Sequence, residues 1–487
     1  MTKICVSIVE KDVEGAAQAA RRAAEQGADL IEVRFDLMDQ LPNALSAFKE
    51  LKIPKIATLR SDAEGGGFSG GDKAKQDFYS NALRSGFEMV DLEISSPLMG
   101  RRDRELRKAG VICSHHDFKG TPSAAKILDI LIRASAKETL PKGAFEVGSC
   151  QDLLSIATAA RMFTATEKEF VLIGMGERGM LTRVCADRLG CAFTYASLEK
   201  GKEAANGQLD LACMKRLSSN KVVVGIVGDP VGHSLSPSMH NASFLEADVP
   251  GIYLRFHVGQ SELEDFFQVA LDYGLRGFNV TIPHKEAISS LLDKSAPSAM
   301  QVGAVNTVVI EDGEFIGHNT DVFGVEMTFK ENGIDPKGKN VLLLGAGGAA
   351  RACCAYLTGA GARVSVHNRS RARAEELCRS FRNCQAIDLG TISDRYDIVI
   401  NSTPLGMKGF PDGLPMPESA LGQGQFVWDL VYNPPITPLL EAARRAGAST
   451  ANGECMLVHQ AMKAFEIWTG RIPSNGAMLS ALRGGQA

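Results

Sequence analysis

Short apolar runs rich in β-branched and aromatic residues recur through the first half of the chain. They are KICVSIV (3–9), LIEVRFD (30–36), PKIATLR (54–60), EMVDLEI (88–94), GVICSHH (110–116), KGAFEVG (142–148), EFVLIGM (169–175) and CAFTYAS (191–197). Each has the length of a strand, and they return roughly every 25–30 residues, the spacing of a strand–helix unit. Between them lie Ala-, Arg- and Glu-rich segments such as EGAAQAARRAAEQG (14–27) and ELRKAG (105–110). Their composition favours helix, and a closing Gly is a common helix stop. Eight such units in about 210 residues predict an α/β fold, a (β/α)8 TIM barrel. An open doubly wound sheet is the competing arrangement.

The pattern changes after KRLSSNK (215–221), which is polar and carries no apolar period. A strand is predicted at VVVGIVG (222–228). Further on, NVLLLGAGGAARACCAYL (340–357) reads as strand, Gly-rich turn and helix. That is the context of a dinucleotide-binding Rossmann lobe. MLVHQAMKAFEIWTG (456–470) has helical periodicity. The predicted organisation is a barrel over 1–213, a linker over 214–221 and a substrate lobe over 222–325. A Rossmann lobe over 326–455 and a helical segment over 456–487 complete it.

At 487 residues the chain is too long for one hydrophobic core, which agrees with this division. A net charge of −4 offers no basic surface for nucleic acid. The eleven cysteines include no CxxC pair and no Cys/His metal spacing, so no metal site is predicted and a reduced, cytoplasmic setting fits. The vicinal Cys353 and Cys354 fall in a predicted helix, where they point in different directions. MTKICVSIVEKD reads as neither a secretory signal nor a transit peptide. No apolar run is long enough to span a membrane.

In a barrel, chemistry sits where the strands end at their C-termini. Glu32, Arg34 and Asp36 end the second predicted strand, and Arg60 and Glu64 follow the third. His115 and His116 end the fifth, Lys142 lies in the sixth, and Arg183 is placed in the loop after the seventh. Neighbours on a strand face opposite ways, so only one of His115 and His116 can point into the mouth. A lysine in a partly dry, cation-rich site can attack a ketone, a histidine can move protons, and arginine suits a carboxylate.

Residues 1 to about 213 resemble type I 3-dehydroquinate dehydratase through IEVRFD, TLRSDAEGG, SHHDFKGTP, LPKGAF and GERGMLTR. The resemblance implies that Lys142 forms an imine with the C3 ketone of 3-dehydroquinate. It implies that His116 is the acid/base, that Glu64 assists it and that Arg183 holds the substrate carboxylate. Glu32, Arg34, Arg60 and Gln208 complete the implied pocket, and 3-dehydroshikimate is the implied product. One departure is Ala204, where the family usually carries a hydroxyl residue.

In the second half, Gly345, Ala346, Gly347, Gly348 and Ala349 form the Gly-rich turn. The next strand ends in Asn368, Arg369 and Arg373 rather than an acidic residue, which favours NADP(H) over NAD. Arg371 reads as a helix-surface charge. Residues 222–487 resemble shikimate dehydrogenase through HSLSPSMHN, NVTIPHK, AVNT, NTD, GAGGAAR, NRS, NSTPLGM and GECMLVHQAMKAF. The resemblance implies that Lys285 and Asp321 are the catalytic pair. It implies that Ser234, Ser236 and Tyr432 bind the substrate carboxylate, and that Thr281, Asn306 and Gln460 bind ring hydroxyls. Ser402, Thr403 and Gly453 are implied near the nicotinamide.

The two resemblances together imply one polypeptide that dehydrates 3-dehydroquinate and reduces 3-dehydroshikimate to shikimate with NADPH, both small-molecule reactions. Three alternatives remain. One is a metabolite-binding regulator, which loss of Lys142, His116, Lys285 or Asp321 would favour; all four are present. The others are a chain active only in its dehydrogenase half, and a preference for quinate.

Overall fold

Each predicted strand of the first half appears in the computed structural model, which describes residues 2–100, 105–136, 138–217, 220–285, 287–391 and 396–485. The strands are β1 (Lys3–Ile8), β2 (Leu30–Arg34), β3 (Lys55–Thr58), β4 (Met89–Glu93), β5 (Gly110–Asp117), β6 (Leu140–Glu146), β7 (Val171–Met175) and β8 (Phe193–Ser197). All pair in parallel, in the order β8-β1-β2-β3-β4-β5-β6-β7, and β8 also lies beside β7. This sequential order without reversal is a nearly closed barrel and excludes the doubly wound sheet.

The helices of this unit are α1 (Val13–Glu25), α2 (Asp72–Arg84), α3 (Ala124–Ser135), α4 (Cys150–Thr164), α5 (Gly176–Val184) and α6 (Leu211–Arg216). Asp12 caps α1 by accepting the Gly15 N–H, and Ala16, Ala17, Ala19, Ala20 and Ala23 form its buried face. Three expectations change. Glu105–Lys108 is a turn rather than a helix. Arg183 lies inside α5, not in a loop. Residues 214–216 of the expected linker are the end of α6, and residues 218 and 219 lie outside the described residues.

The alternation of the strands explains where polar residues gather. On the inward face, Leu30, Ile56, Met89, Ile112, Leu140 and Val171 form an apolar layer toward the strand starts. Two residues further along the same faces stand Glu32, Thr58, Asp91, Ser114 and Lys142. The pairing register sets Ser7 beside Glu32, Thr58 beside Asp91, and Ser114 beside Lys142. The barrel floor is therefore hydrophobic and its mouth ionic.

The second unit begins with β9 (Val222–Gly228), α7 (Ser236–Glu246) and β10 (Gly251–His257). The following segment, Val258–Leu275, holds α8 (Leu263–Tyr273) and clusters with the barrel. There Tyr273 Oη donates to the Leu153 carbonyl of α4 at 2.9 Å. The second unit resumes with β11 (Gly277–Val280), β12 (Lys294–Ser295), α9 (Pro297–Val302), β13 (Thr307–Glu311), β14 (Glu314–His318) and α10 (Asp321–Glu331). Its first sheet has the mixed order β10-β9-β11-β13-β14-β12.

Then follow β15 (Asn340–Leu344), α11 (Gly348–Gly359), β16 (Arg363–His367), α12 (Arg371–Arg379), β17 (Cys384–Ala386), β18 (Ile398–Asn401), β19 (Phe426–Asp429), α13 (Pro438–Arg445) and β20 (Ser449–Ala451). The second sheet is all parallel, in the order β17-β16-β15-β18-β19-β20. This is the Rossmann order, with its switch point between β15 and β18. α14 (Glu454–Thr469) and α15 (Asn475–Gly484) end the described chain; α14 packs on α10, and α15 packs on α7. Cys353 and Cys354 are both buried in α11.

Candidate active sites

The barrel mouth holds a cavity of about 250 Å³. Glu32, Arg34, Arg60, Glu64, His116, Lys142, Arg183 and Gln208, all expected there from the sequence, line it together. His115 turns the other way, with its ring 6.0 Å from that of Phe145. The Lys142 ammonium donates to Asp91 Oδ2 at 3.0 Å and lies 3.7 Å from Glu32 Oε1. It also sits 4.5 Å above the Tyr195 ring. Arg34, Arg60 and Arg183 line the same mouth, but Lys142 itself is ion-paired with two carboxylates.

The cations of the mouth fall into two groups. Arg60 donates to Asp91 Oδ2 at 2.9 Å and Arg34 to Asp36 Oδ2 at 2.7 Å. Burial alone would raise the Asp91 carboxyl, but Arg60 and then Lys142 hold it well below the usual carboxylate range. Arg183 differs. It is buried, its Nε has no hydrogen-bond partner, and it has no ion pair among the described residues. Burial brings its guanidinium down to about 10. A desolvated cation of this kind calls for an anion from outside the protein.

Glu64 Oε2 accepts from the His116 backbone N–H at 3.1 Å and meets its ring Nδ1 at 3.0 Å. Burial pushes the Glu64 carboxyl up to about 7, against the pull of Arg60. Burial, aided by Arg60 and Lys142, holds the His116 imidazole well below its ordinary value, so it is neutral near neutrality. At the departure noted above, the Ala204 N–H donates to Gln208 Oε1 at 2.8 Å. The backbone there orients the glutamine amide, and Asn206 lines the cavity close by.

A second cavity, of about 490 Å³, lies in the second unit. Ser234, Ser236, Thr281, Lys285, Asn306, Asp321, Tyr432 and Gln460 line it, again all the residues expected. Lys285 Nζ donates to Asp321 Oδ2 at 3.1 Å, and Asn306 Nδ2 donates to Asp321 Oδ1 at 2.8 Å. Asp321 stands at the first turn of α10, where the helix dipole favours a carboxylate. The Ser234 hydroxyl accepts the Ser236 N–H at 3.3 Å, and Ser236 opens α7.

The Gly-rich turn forms a wall of this cavity through Ala349. Gly345 adopts φ +110, and a Cβ there would lie 2.5 Å from Ser402 Oγ, so only glycine fits. A Cβ at Gly347 would meet nothing within 4 Å, so the backbone faces open space ahead of α11. A Cβ at Gly348 would lie 3.5 Å from Lys285 Cδ, so the turn abuts the lysine. The hydroxyls of Ser402 and Thr403 donate inward, to the Leu344 carbonyl and to Asn401 Oδ1. Gly453 packs against the Leu430 carbonyl too tightly for any side chain. These three residues shape the turn's surroundings rather than present side chains to the cavity.

Residues 4–220 match the type I 3-dehydroquinase family. Residues 226–308 match the shikimate dehydrogenase substrate-binding domain, 328–406 the shikimate/quinate 5-dehydrogenase family, and 454–483 the shikimate 5′-dehydrogenase C-terminal domain. The chain is 33% identical to the chloroplastic bifunctional 3-dehydroquinate dehydratase/shikimate dehydrogenase of Arabidopsis thaliana, over 96% of this chain and 82% of that protein. The chain belongs to this bifunctional family. Its second half is 45% identical to the NADP(+) shikimate dehydrogenase of Citrifermentans bemidjiense, covering 53% of this chain and 94% of that one. It is also similar to the shikimate 5-dehydrogenase of Thermus thermophilus solved with NADP(H) and shikimate. That likeness has a TM-score of 0.51 and 35% identity, and covers 54% of this chain and 99% of that one.

The chain is accordingly a bifunctional shikimate-pathway enzyme, with a dehydratase half and a dehydrogenase half. Several residues of its sites escaped the sequence reading. In the dehydratase half, Asp91 links Arg60, Lys142 and the Ser114 hydroxyl, while Ser7 and Thr58 donate to Glu32. In the dehydrogenase half, Thr320 and Thr307 bond to Asn306 and so fix the amide that holds Asp321. A signal for Asp91 existed: in EMVDLEI, Asp91 and Glu93 stand two apart, on one face of an otherwise apolar strand.

Proposed function

We propose that Lys142 attacks the C3 ketone of 3-dehydroquinate and that His116 takes the C2 proton. The cavity supports this because Lys142 and His116 rise from the inward faces of adjacent strands, β6 and β5, beside the unpartnered Arg183. Arg183 binds the substrate carboxylate and so fixes which ring carbon meets each side chain. The amine forms an iminium with loss of water. Positive charge then stays at the same nitrogen, so Asp91 and Glu32 serve the iminium as they serve the ammonium. The iminium draws the electrons left at C2 when His116 Nε2 accepts that proton. His116 then returns a proton to the C1 hydroxyl, which departs as water, and hydrolysis of the iminium by a second water releases 3-dehydroshikimate and restores the Lys142 amine.

In the second cavity, Lys285 and Asp321 relay the proton of the reacting hydroxyl. Ser234, Ser236 and Tyr432 hold the carboxylate, and Thr281, Asn306 and Gln460 meet the ring hydroxyls. The turn around Gly345, Gly347 and Gly348 fits a dinucleotide, since its backbone is open and α11 starts there. Arg369 and Arg373 are exposed and have no ion-pair partner among the described residues. Arg371 is instead occupied by Glu375 and Asp388. Two available cations suit a 2′-phosphate, so the nucleotide is NADP(H). Bound there, the nicotinamide supplies the hydride in reduction and accepts it in oxidation. Eleven free cysteines agree with a cytoplasmic setting, and no helix among the described residues is long and apolar enough to cross a membrane.

Borohydride trapping with 3-dehydroquinate, followed by peptide mapping, tests the carrying observation. The reduced adduct is expected on Lys142, and an adduct elsewhere would overturn the assignment.

A further inference from the structure

Outside both cavities, the end of α10 meets the first turns of α14 through three side chains of different chemistry. Glu331 is the last residue of α10, and Cys455 and His459 stand four apart on one face of α14. The Cys455 thiol donates to Glu331 Oε2 at 3.0 Å, and His459 Nε2 lies 2.6 Å from Glu331 Oε1. One sulfur, one nitrogen and one oxygen ligand atom thus lie within 4.8 Å of one another.

We propose that Glu331, Cys455 and His459 bind a divalent cation of borderline softness, of the zinc class. A thiolate, an imidazole and a carboxylate are each zinc ligands, and three of them leave the fourth tetrahedral position to water. Calcium and magnesium prefer all-oxygen sites and are disfavoured by the thiolate and imidazole. His459 is buried, Cys455 is half-buried and Glu331 is open to solvent, so a preformed inner wall has an entry path. Coordination exchanges the thiol proton and the existing hydrogen bonds for bonds to the ion. The sequence reading passed over this set because a Cys-x3-His pair is not by itself a metal signature, and Glu331 lies 124 residues before Cys455.

The ion lies apart from the reacting groups of the second cavity. Asp321 and Glu331 stand at opposite ends of α10, about 15 Å apart at the helical rise. Gln460 follows His459 directly on α14. An ion here clamps together the two helices that carry Asp321 and Gln460 to the second cavity, and stabilises the fold by mass action.

The test titrates the full-length, chelator-treated chain with cobalt(II) and then zinc(II). One equivalent of cobalt is expected to bind with a thiolate-to-cobalt charge-transfer band and strong tetrahedral d–d bands, and zinc to displace it. Zinc is expected to raise the melting temperature. C455S, with folding checked by circular dichroism, should lose the charge-transfer band and bind zinc at least about 100-fold more weakly, the upper range for losing even an outer-shell partner. E331Q should keep the band and bind less tightly. No charge-transfer band in the wild-type chain, or a band that survives in C455S, overturns the proposal.

Discussion

Glu64 Oε2 receives both the backbone N–H and the ring Nδ1 of His116. When Glu64 is ionised, Nδ1 carries the proton and Nε2 is free to act as a base. When Glu64 is protonated, it donates to Nδ1, and Nε2 then holds the hydrogen and cannot accept another. The carboxyl titrates at about 7, while the imidazole is neutral through this range. The base form therefore gains population as pH rises through about 7. We expect kcat/KM for dehydration to climb across this interval, measured by the ultraviolet absorbance of the enone product. E64Q should flatten that limb and lower the rate by about 100-fold. An unchanged limb in E64Q would assign it to another group.

Asp91 is shared by two buried cations, Arg60 and Lys142. Removing its charge leaves Arg60 with only Glu93 at 4.0 Å and Lys142 with only Glu32 at 3.7 Å, a loss of up to about 3–5 kcal/mol, the range for breaking a buried pair. D91N is expected to lower the denaturant midpoint of the dehydratase half and to slow borohydride-trappable imine formation. S114A, which removes a neutral hydroxyl that bonds both Arg60 and Asp91, should cost less, about 1.5–3 kcal/mol. Equal effects of D91N and S114A would show that charge at Asp91 is not what matters.

The contrast between Lys142 and Asp91 shows what a sequence discloses. Lys142 stands in a motif, so the resemblance drew attention to it; Asp91 lies inside a strand that reads as hydrophobic. Its importance appears only when curvature turns one strand face inward and the register sets Thr58 beside it. The barrel itself was legible because strand-length runs repeat at a steady spacing. The helix expected at 105–110 was not realised: 105–108 is a turn and Gly110 already belongs to β5, since helix-favouring composition does not by itself fix a helix. At Ala204, where the family usually carries a hydroxyl residue, the backbone N–H orients Gln208, which no side-chain reading can foresee. Likewise Ser402 and Thr403 stand in a nucleotide-side motif, yet their hydroxyls bond inward.

Nucleotide selectivity should rest on Arg369 and Arg373, because Arg371 is already paired. A charge-assisted hydrogen bond contributes about 1.5–3 kcal/mol, or roughly 10–100-fold in affinity. R369A and R373A are each expected to raise KM for NADPH by that order and to leave KM for NADH almost unchanged. R371A should alter neither. Steady-state kinetics with both nucleotides measures this, and an R371A effect as large as that of R369A would reverse the assignment.

The catalytic groups proposed for the two halves are separate, so substitutions are expected to separate the activities. Asp321 accepts Lys285 on one oxygen and Asn306 on the other. D321N preserves the shape and the Asn306 side of this arrangement but removes the charge that pairs with the lysine. We expect kcat for shikimate oxidation to fall about 10²–10⁴-fold, the range for losing a positioned acid/base group. KM for shikimate should change little, since Ser234, Ser236 and Tyr432 remain. Dehydration of 3-dehydroquinate by D321N should be unaffected, and K142A should show the reverse pattern. Neither variant alone should carry 3-dehydroquinate through to shikimate with NADPH. Mixed together they should, after a lag while 3-dehydroshikimate accumulates, because each supplies the step the other lacks. If K142A also lost shikimate oxidation while remaining folded, the two reactions would share a group, and the assignment of separate sites would fail.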